Sequence, residues 1–130
     1  MEAIIEKSFE IEEPIDKVWA NLSNPMEVAS CVPGAAITQQ IDDTHYKGEV
    51  TLKFGPIKAK YDGDIEMVEL DNSAYRMVMA GKGLDSKGKG SADMIMNGDL
   101  QSSDLGTNVN FKMTVTIVGT LAQFGSRLIN

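Results

Sequence analysis

Cysteine and histidine are nearly missing from this 130-residue sequence: Cys31 and His45 are the single examples of each. A metal centre built from His and Cys ligands therefore lacks its parts, as does a Cys/His or Ser/His nucleophile with a spare base. One thiol cannot close an intrachain disulfide, and the opening MEAIIEKSFE lacks the basic then apolar layout of a signal peptide. A reducing, cytoplasmic setting is the expectation. Long apolar runs are absent too, since no stretch approaches the roughly 20 residues that a membrane-spanning helix needs. Positive charge is in deficit: 12 Lys and Arg against 19 Asp and Glu leave −7, which repels phosphate backbones and argues against nucleic-acid binding. The length suits one domain over residues 1–130, and no internal repeat, low-complexity tract or linker divides it.

What the chain does have is methionine, eight in all, within a globular composition of 42% hydrophobic and 24% charged residues. Ile5, Phe9 and Ile11 alternate with Glu6, Ser8 and Glu10, which predicts a strand over 3–11 with one wet face. Pro14 then opens a short helix in which Ile15, Val18, Trp19 and Leu22 recur at helical spacing, with Asp16 in its first turn. Asn24-Pro25 starts a second short helix, and Pro33-Gly34 closes it. Six alternating runs follow, over 36–41, 45–54, 57–70, 74–82, 90–97 and 107–118. Turn chemistry divides them at Asp42-Asp43, Gly55-Pro56, Asp71-Asn72-Ser73, 83–88 and 98–106. Connections this short make neighbours antiparallel. Leu121, Phe124 and Leu128 return to helical spacing after Gly119. The expectation is an α+β domain: a curved seven-stranded antiparallel sheet, two short helices, and a C-terminal helix in its concave face.

Alternation also selects the inward side. Val50, Leu52 and Phe54 fall on it, with Tyr61, Ile65 and Met67, then Met77 and Met79, Met94 and Met96, and finally Phe111, Met113 and Val115. A methionine stripe is ordinarily core. Here a strongly curved sheet holding one helix leaves interior volume that two short helices close only in part, so the expected feature is a cavity for a hydrophobic small molecule. Trp19 from the first helix and Leu121, Phe124 and Leu128 from the last complete the candidate lining.

Other patterns lead less far. Gly83 to Lys89 matches Gly-x-x-x-x-Gly-Lys, but Gly90 stands where a Ser or Thr should reach magnesium and no helix follows, so a hairpin is the better reading. Asp62, Asp64 and Glu66 alternate on one strand face nearly 7 Å apart, too far for all three to hold one calcium ion, and read as a solvated face paired with lysines. His45 reads as exposed beside a turn, and Cys31 as a small buried thiol. Counting turns puts Asp42, Asp43, Glu69, Asp71, Asp99 and Asp104 at one end of the sheet. Lys53, Lys58, Lys60, Lys82, Lys87 and Lys89 collect at the other, near Phe54, Ile57 and Leu84, a basic end that suits an anionic partner or membrane surface.

Four ordered stretches resemble the signatures of a known family: Cys31-Val32-Pro33-Gly34; Gly55-Pro56-Ile57-Lys58; Lys89-Gly90-Ser91-Ala92-Asp93; and Leu121 through Ile129. Together they are similar to the CoxG family of carbon monoxide dehydrogenase accessory proteins, within the START-like (SRPBCC) helix-grip superfamily, over nearly the whole chain. The resemblance implies a helix-grip fold around a lipophilic cavity, with no cofactor and no catalytic residue. It also implies an accessory role: recruiting a molybdenum hydroxylase complex, such as carbon monoxide dehydrogenase, to the inner face of the membrane by handling quinone or lipid. The runner-up is a polyketide cyclase-like or hydrolase-like enzyme, which the same superfamily supports. Seven strands at about 4.8 Å span roughly 34 Å, whereas the ten residues from Leu121 make a helix of about 15 Å. The apolar floor left uncovered leads to the expectation that the natural chain runs past Asn130, or that two copies form a homodimer.

Overall fold

Alternating side chains and short turns set the architecture seen in the computed structural model, which describes residues 2–30, 34–54, 56–88 and 90–119. Strand β1 (Glu2–Ile11) is followed by α1 (Ile15–Leu22) and α2 (Pro25–Ser30), and then by six strands: β2 (Ala35–Gln40), β3 (His45–Phe54), β4 (Ile57–Asp71), β5 (Arg76–Asp85), β6 (Gly90–Ser103) and β7 (Gly106–Gly119). All seven strands form one antiparallel sheet in the order β1-β7-β6-β5-β4-β3-β2, with β1 and β2 at its edges. The expected terminal helix with Leu121, Phe124 and Leu128 lies outside the described residues, as do Cys31 and Lys89.

Two strands run further than the sequence pattern predicts. The pattern places Gly98 in a turn; in the structure it sits inside β6, opposite Met77 and Phe111, and the hairpin turn is only Asp104-Leu105. The absent side chain at Gly98 leaves room for Met77, whose Cε would lie 3.3 Å from an added Cβ. Likewise β5 continues through Gly83 to Asp85. Gly48, Gly63 and Gly83 are direct cross-strand partners on β3, β4 and β5. A Cβ on Gly63 would collide with the Lys82 carbonyl oxygen, and one on Gly48 would come within 2.9 Å of the Ala36 carbonyl oxygen. Neighbouring backbones thus close in where side chains are missing, and the sheet curls there. Ala59 and Tyr61 of β4 consequently share a buried cluster with Ile117 of β7, although β5 and β6 separate the two strands in the sheet.

The larger core lies towards the opposite end, where Val18 and Trp19 of α1 and Val28 of α2 meet Met67, Met77, Met79, Met96, Leu100 and Val109. Helix α1 is fixed to the β4–β5 turn at two points. Trp19 Nε1 donates to Asn72 Oδ1 at 2.9 Å, and the Tyr75 hydroxyl donates to Asp16 Oδ1 at 2.6 Å. The Trp19 and Tyr75 rings meet edge to face at 5.8 Å.

Candidate functional site

Pairing register turns the scattered methionines into a row. Met67 faces Met79, Met79 faces Met96, and Met96 faces Met113 across four adjacent strands, with Ile5 of β1 next in line. Strand periodicity puts the inner neighbours on the same side: Tyr61 and Ile65 on β4, Met77 on β5, Met94 on β6, Phe111 and Val115 on β7. Unbranched thioether chains in such a row adapt to irregular contents better than branched aliphatics would.

Between this face and the two helices lies a cavity of about 300 Å³, at the small end of the range for ligand pockets. Met77, Met96, Met113, Phe111, Val109 and Leu100 form its floor, Trp19, Leu22 and Val28 its roof, and Phe9 and Lys7 its wall at the β1 edge. Of the lining expected from the sequence, Trp19, Met77, Met96, Phe111 and Met113 come together here. Met67 and Met79 are buried in the adjoining core, with Ile65 and Met94 packed partly buried against it. Tyr61 and Val50 belong to the second cluster near the glycine row. The Leu52 side chain, Leu121, Phe124 and Leu128 lie outside the described residues. Sequence pattern alone does not single out Lys7, Phe9, Leu22 or Val28 as lining. Strand parity carries the signal for Lys7, since it falls between Ile5 and Phe9 on the apolar side.

Few titratable groups face inward. Tyr61 is 2% exposed, its hydroxyl has no hydrogen-bond partner among the described residues, and burial followed by the nearby Asp85 carboxylate pushes its pKa up. Asp99 borders the cavity by its backbone position, but register turns its side chain to the outer face, where Asn110 Nδ2 donates to it at 3.1 Å. No group of three or more His, Cys, Asp or Glu residues that could hold a metal occurs among the described residues. A more open depression of about 380 Å³ on the outer face is bordered by Glu6, Lys7, Ser8, Asn97, Asp99, Asn110, Phe111 and Lys112, and is a shallow surface dip.

The lysines expected at one end divide. Lys53 and Lys58 stand directly opposite each other at the β3–β4 hairpin, and Lys87 lies in the β5–β6 turn. Lys82 instead sits between Asp64 and Asp93 in a cross-strand row, with Lys47 3.8 Å from Asp64 beyond it. Lys60 is 3.2 Å from Glu49, whose carboxylate raises the lysine pKa. No described helix is long and apolar enough to cross a membrane.

Among solved structures, a conserved protein from Geobacillus kaustophilus is similar over 98% of this chain and 82% of its own, at 22% identity and a TM-score of 0.77. An uncharacterized protein from Rhizobium leguminosarum matches over 99% and 86% at 14% identity and a TM-score of 0.65. The Zhui aromatase/cyclase from Streptomyces sp. R1128 matches over 92% and 70% at 13% identity and a TM-score of 0.53. These likenesses show the fold, a curved seven-stranded antiparallel sheet with two short helices. No curated protein sequence matches. The sequence profile of the carbon monoxide dehydrogenase subunit CoxG matches residues 8–130, nearly the whole length, and its family together with the fold supports a ligand-binding scaffold. The chain belongs to the CoxG family of carbon monoxide dehydrogenase subunits.

Proposed function

We propose that the protein is a non-catalytic carrier or adaptor that holds a hydrophobic small molecule, a lipid or quinone, between the sheet and its covering helices. The observation that carries this reading is the cavity itself: a methionine and aromatic floor under a roof stapled to the β4–β5 turn, with no acid–base pair converging on it among the described residues. The family supports placing the carrier beside a molybdenum hydroxylase of the carbon monoxide dehydrogenase kind. Titration with a lipophile, followed through Trp19, tests it. Saturable binding is expected, and Met113→Glu should weaken it at least tenfold because a charge against apolar lining loses its hydration. Absence of saturable binding to the intact protein would refute the carrier.

At the membrane, Lys53, Lys58 and Lys87 are the surface that would meet anionic headgroups during exchange. Like charges directly opposite on paired strands repel, and an anionic surface relieves that repulsion while contributing about 1 kcal/mol per lysine. Co-sedimentation with phosphatidylserine vesicles should fall when these three are changed to glutamate. Equal sedimentation of variant and parent would remove the membrane contact. A second reading, a cyclase-like enzyme, draws on the Tyr61 hydroxyl, which has no partner among the described residues, and on the fold shared with an aromatase/cyclase. Any turnover found should fall in Tyr61→Phe, and unchanged turnover would remove Tyr61 as its catalytic group.

A further inference from the structure

Within the described sheet, the inner face carries two charged residues, Asp85, buried opposite Tyr61 on the neighbouring strand, and Lys7 at the cavity. Lys7 pairs with Phe111 across β1 and β7, two residues from Phe9, and register points it to the apolar side. It is the single base among the residues bordering the cavity, and no carboxylate lies within salt-bridge distance of it among the described residues. Its strand neighbour Glu6 faces the other way, 3.8 Å from Lys112. A cation turned inward on an edge strand can act as a guard against edge-to-edge pairing. Here that guard is already supplied by Glu2, Glu6 and Glu10, which stand exposed along the outer face of the same strand.

We infer that the cavity is built for a single-tailed amphiphile with a carboxylate head. The tail lies on Met77, Met96 and Met113, and the head is held by the Lys7 ammonium at the β1 edge. This rests on the carrier reading and narrows it to acids over neutral lipids and quinones. A lysine stem can follow the Phe9 and Phe111 rings while its ammonium stays at the wet rim, so an acid gains a charge-assisted hydrogen bond that an alcohol of equal length does not.

The test compares dodecanoate with dodecanol, both titrated below their aggregation limits and followed by Trp19 fluorescence. The intact protein should bind the acid at least tenfold more tightly than the alcohol. Lys7→Met should bring the acid down to the level of the alcohol, while Lys7→Arg should keep the preference. Should Lys7→Met self-associate, Lys7→Gln, which keeps a polar edge without the charge, answers the same question. Equal affinity for acid and alcohol in the parent, or an acid preference that survives Lys7→Gln, overturns the inference and leaves the carrier standing. Failure of both amphiphiles to bind overturns the inference too, while the carrier stands or falls on lipophiles of other kinds.

Discussion

At the scale of single residues, the one histidine is less solitary than its exposure implies. His45 Nδ1 lies 2.9 Å from Asp42 Oδ1 and Nε2 lies 3.7 Å from Glu66, which puts the ring in an acidic notch on the outer face. The hydrogen bond to Asp42 raises the His45 pKa above its ordinary 6.5. Asp42 also accepts from the backbone N–H groups of Thr44 and His45, and the Thr44 bond, with the His45 side chain next, holds its pKa down at about 2 from an ordinary 3.8. The raised histidine contributes stability that is complete below pH 6.5 and lost as pH rises through its folded midpoint. The lowered aspartate contributes above pH 3.8 and is lost as pH falls towards about 2. The pair is therefore fully in place between those limits. NMR titration should give a His45 midpoint above 6.5 that falls in Asp42→Asn, and the urea midpoint should decline above that pH in the parent more than in the variant. An unshifted His45 would show that the notch does not form.

At the scale of elements, the row Gly48, Gly63 and Gly83 is what lets β3, β4 and β5 curl. Gly63→Ala forces a methyl into the Lys82 carbonyl and should cost about 3 kcal/mol. Gly88→Ala, in the β5–β6 turn at φ 70° with nothing within 4 Å, should cost only about 1 kcal/mol from its left-handed backbone. Urea unfolding of the two variants checks the order, and equal losses would mean that the close backbone approach at Gly63 does not govern the curl. These glycines also mark where a linear sequence stops being informative. Strands are legible because apolar residues recur at alternate positions along one face of each, and Pro14 and Asn24-Pro25 announce both helices. Gly83 and Gly98 look like turn residues in a linear sequence. They prove to be strand positions emptied to make room for a neighbouring strand's Tyr61 or Met77, which only pairing register reveals.

At the scale of the whole molecule, the same limit applies to the cavity. Methionine alternation identifies the floor, because each strand declares its own inner face. Which part of that floor is hollow depends on where α1 and α2 land, and that is set by the Trp19–Asn72 and Tyr75–Asp16 bonds across 53 and 59 residues of sequence. Phe9, Leu22 and Val28 thus read as ordinary core until the helices are in place, whereas strand parity already puts Lys7 on the apolar side. An apolar hollow that adaptable methionines line beneath pinned helices is suited to carrying a molecule. Native mass spectrometry of the protein purified from its own host puts the carrier to the proof without a guess at its cargo. A carrier should show a population heavier than the bare chain by one small lipophilic molecule, released by organic extraction and restored by adding the extract back. A protein found only at the mass of its bare chain, with nothing in the extract that rebinds, would contradict the carrier.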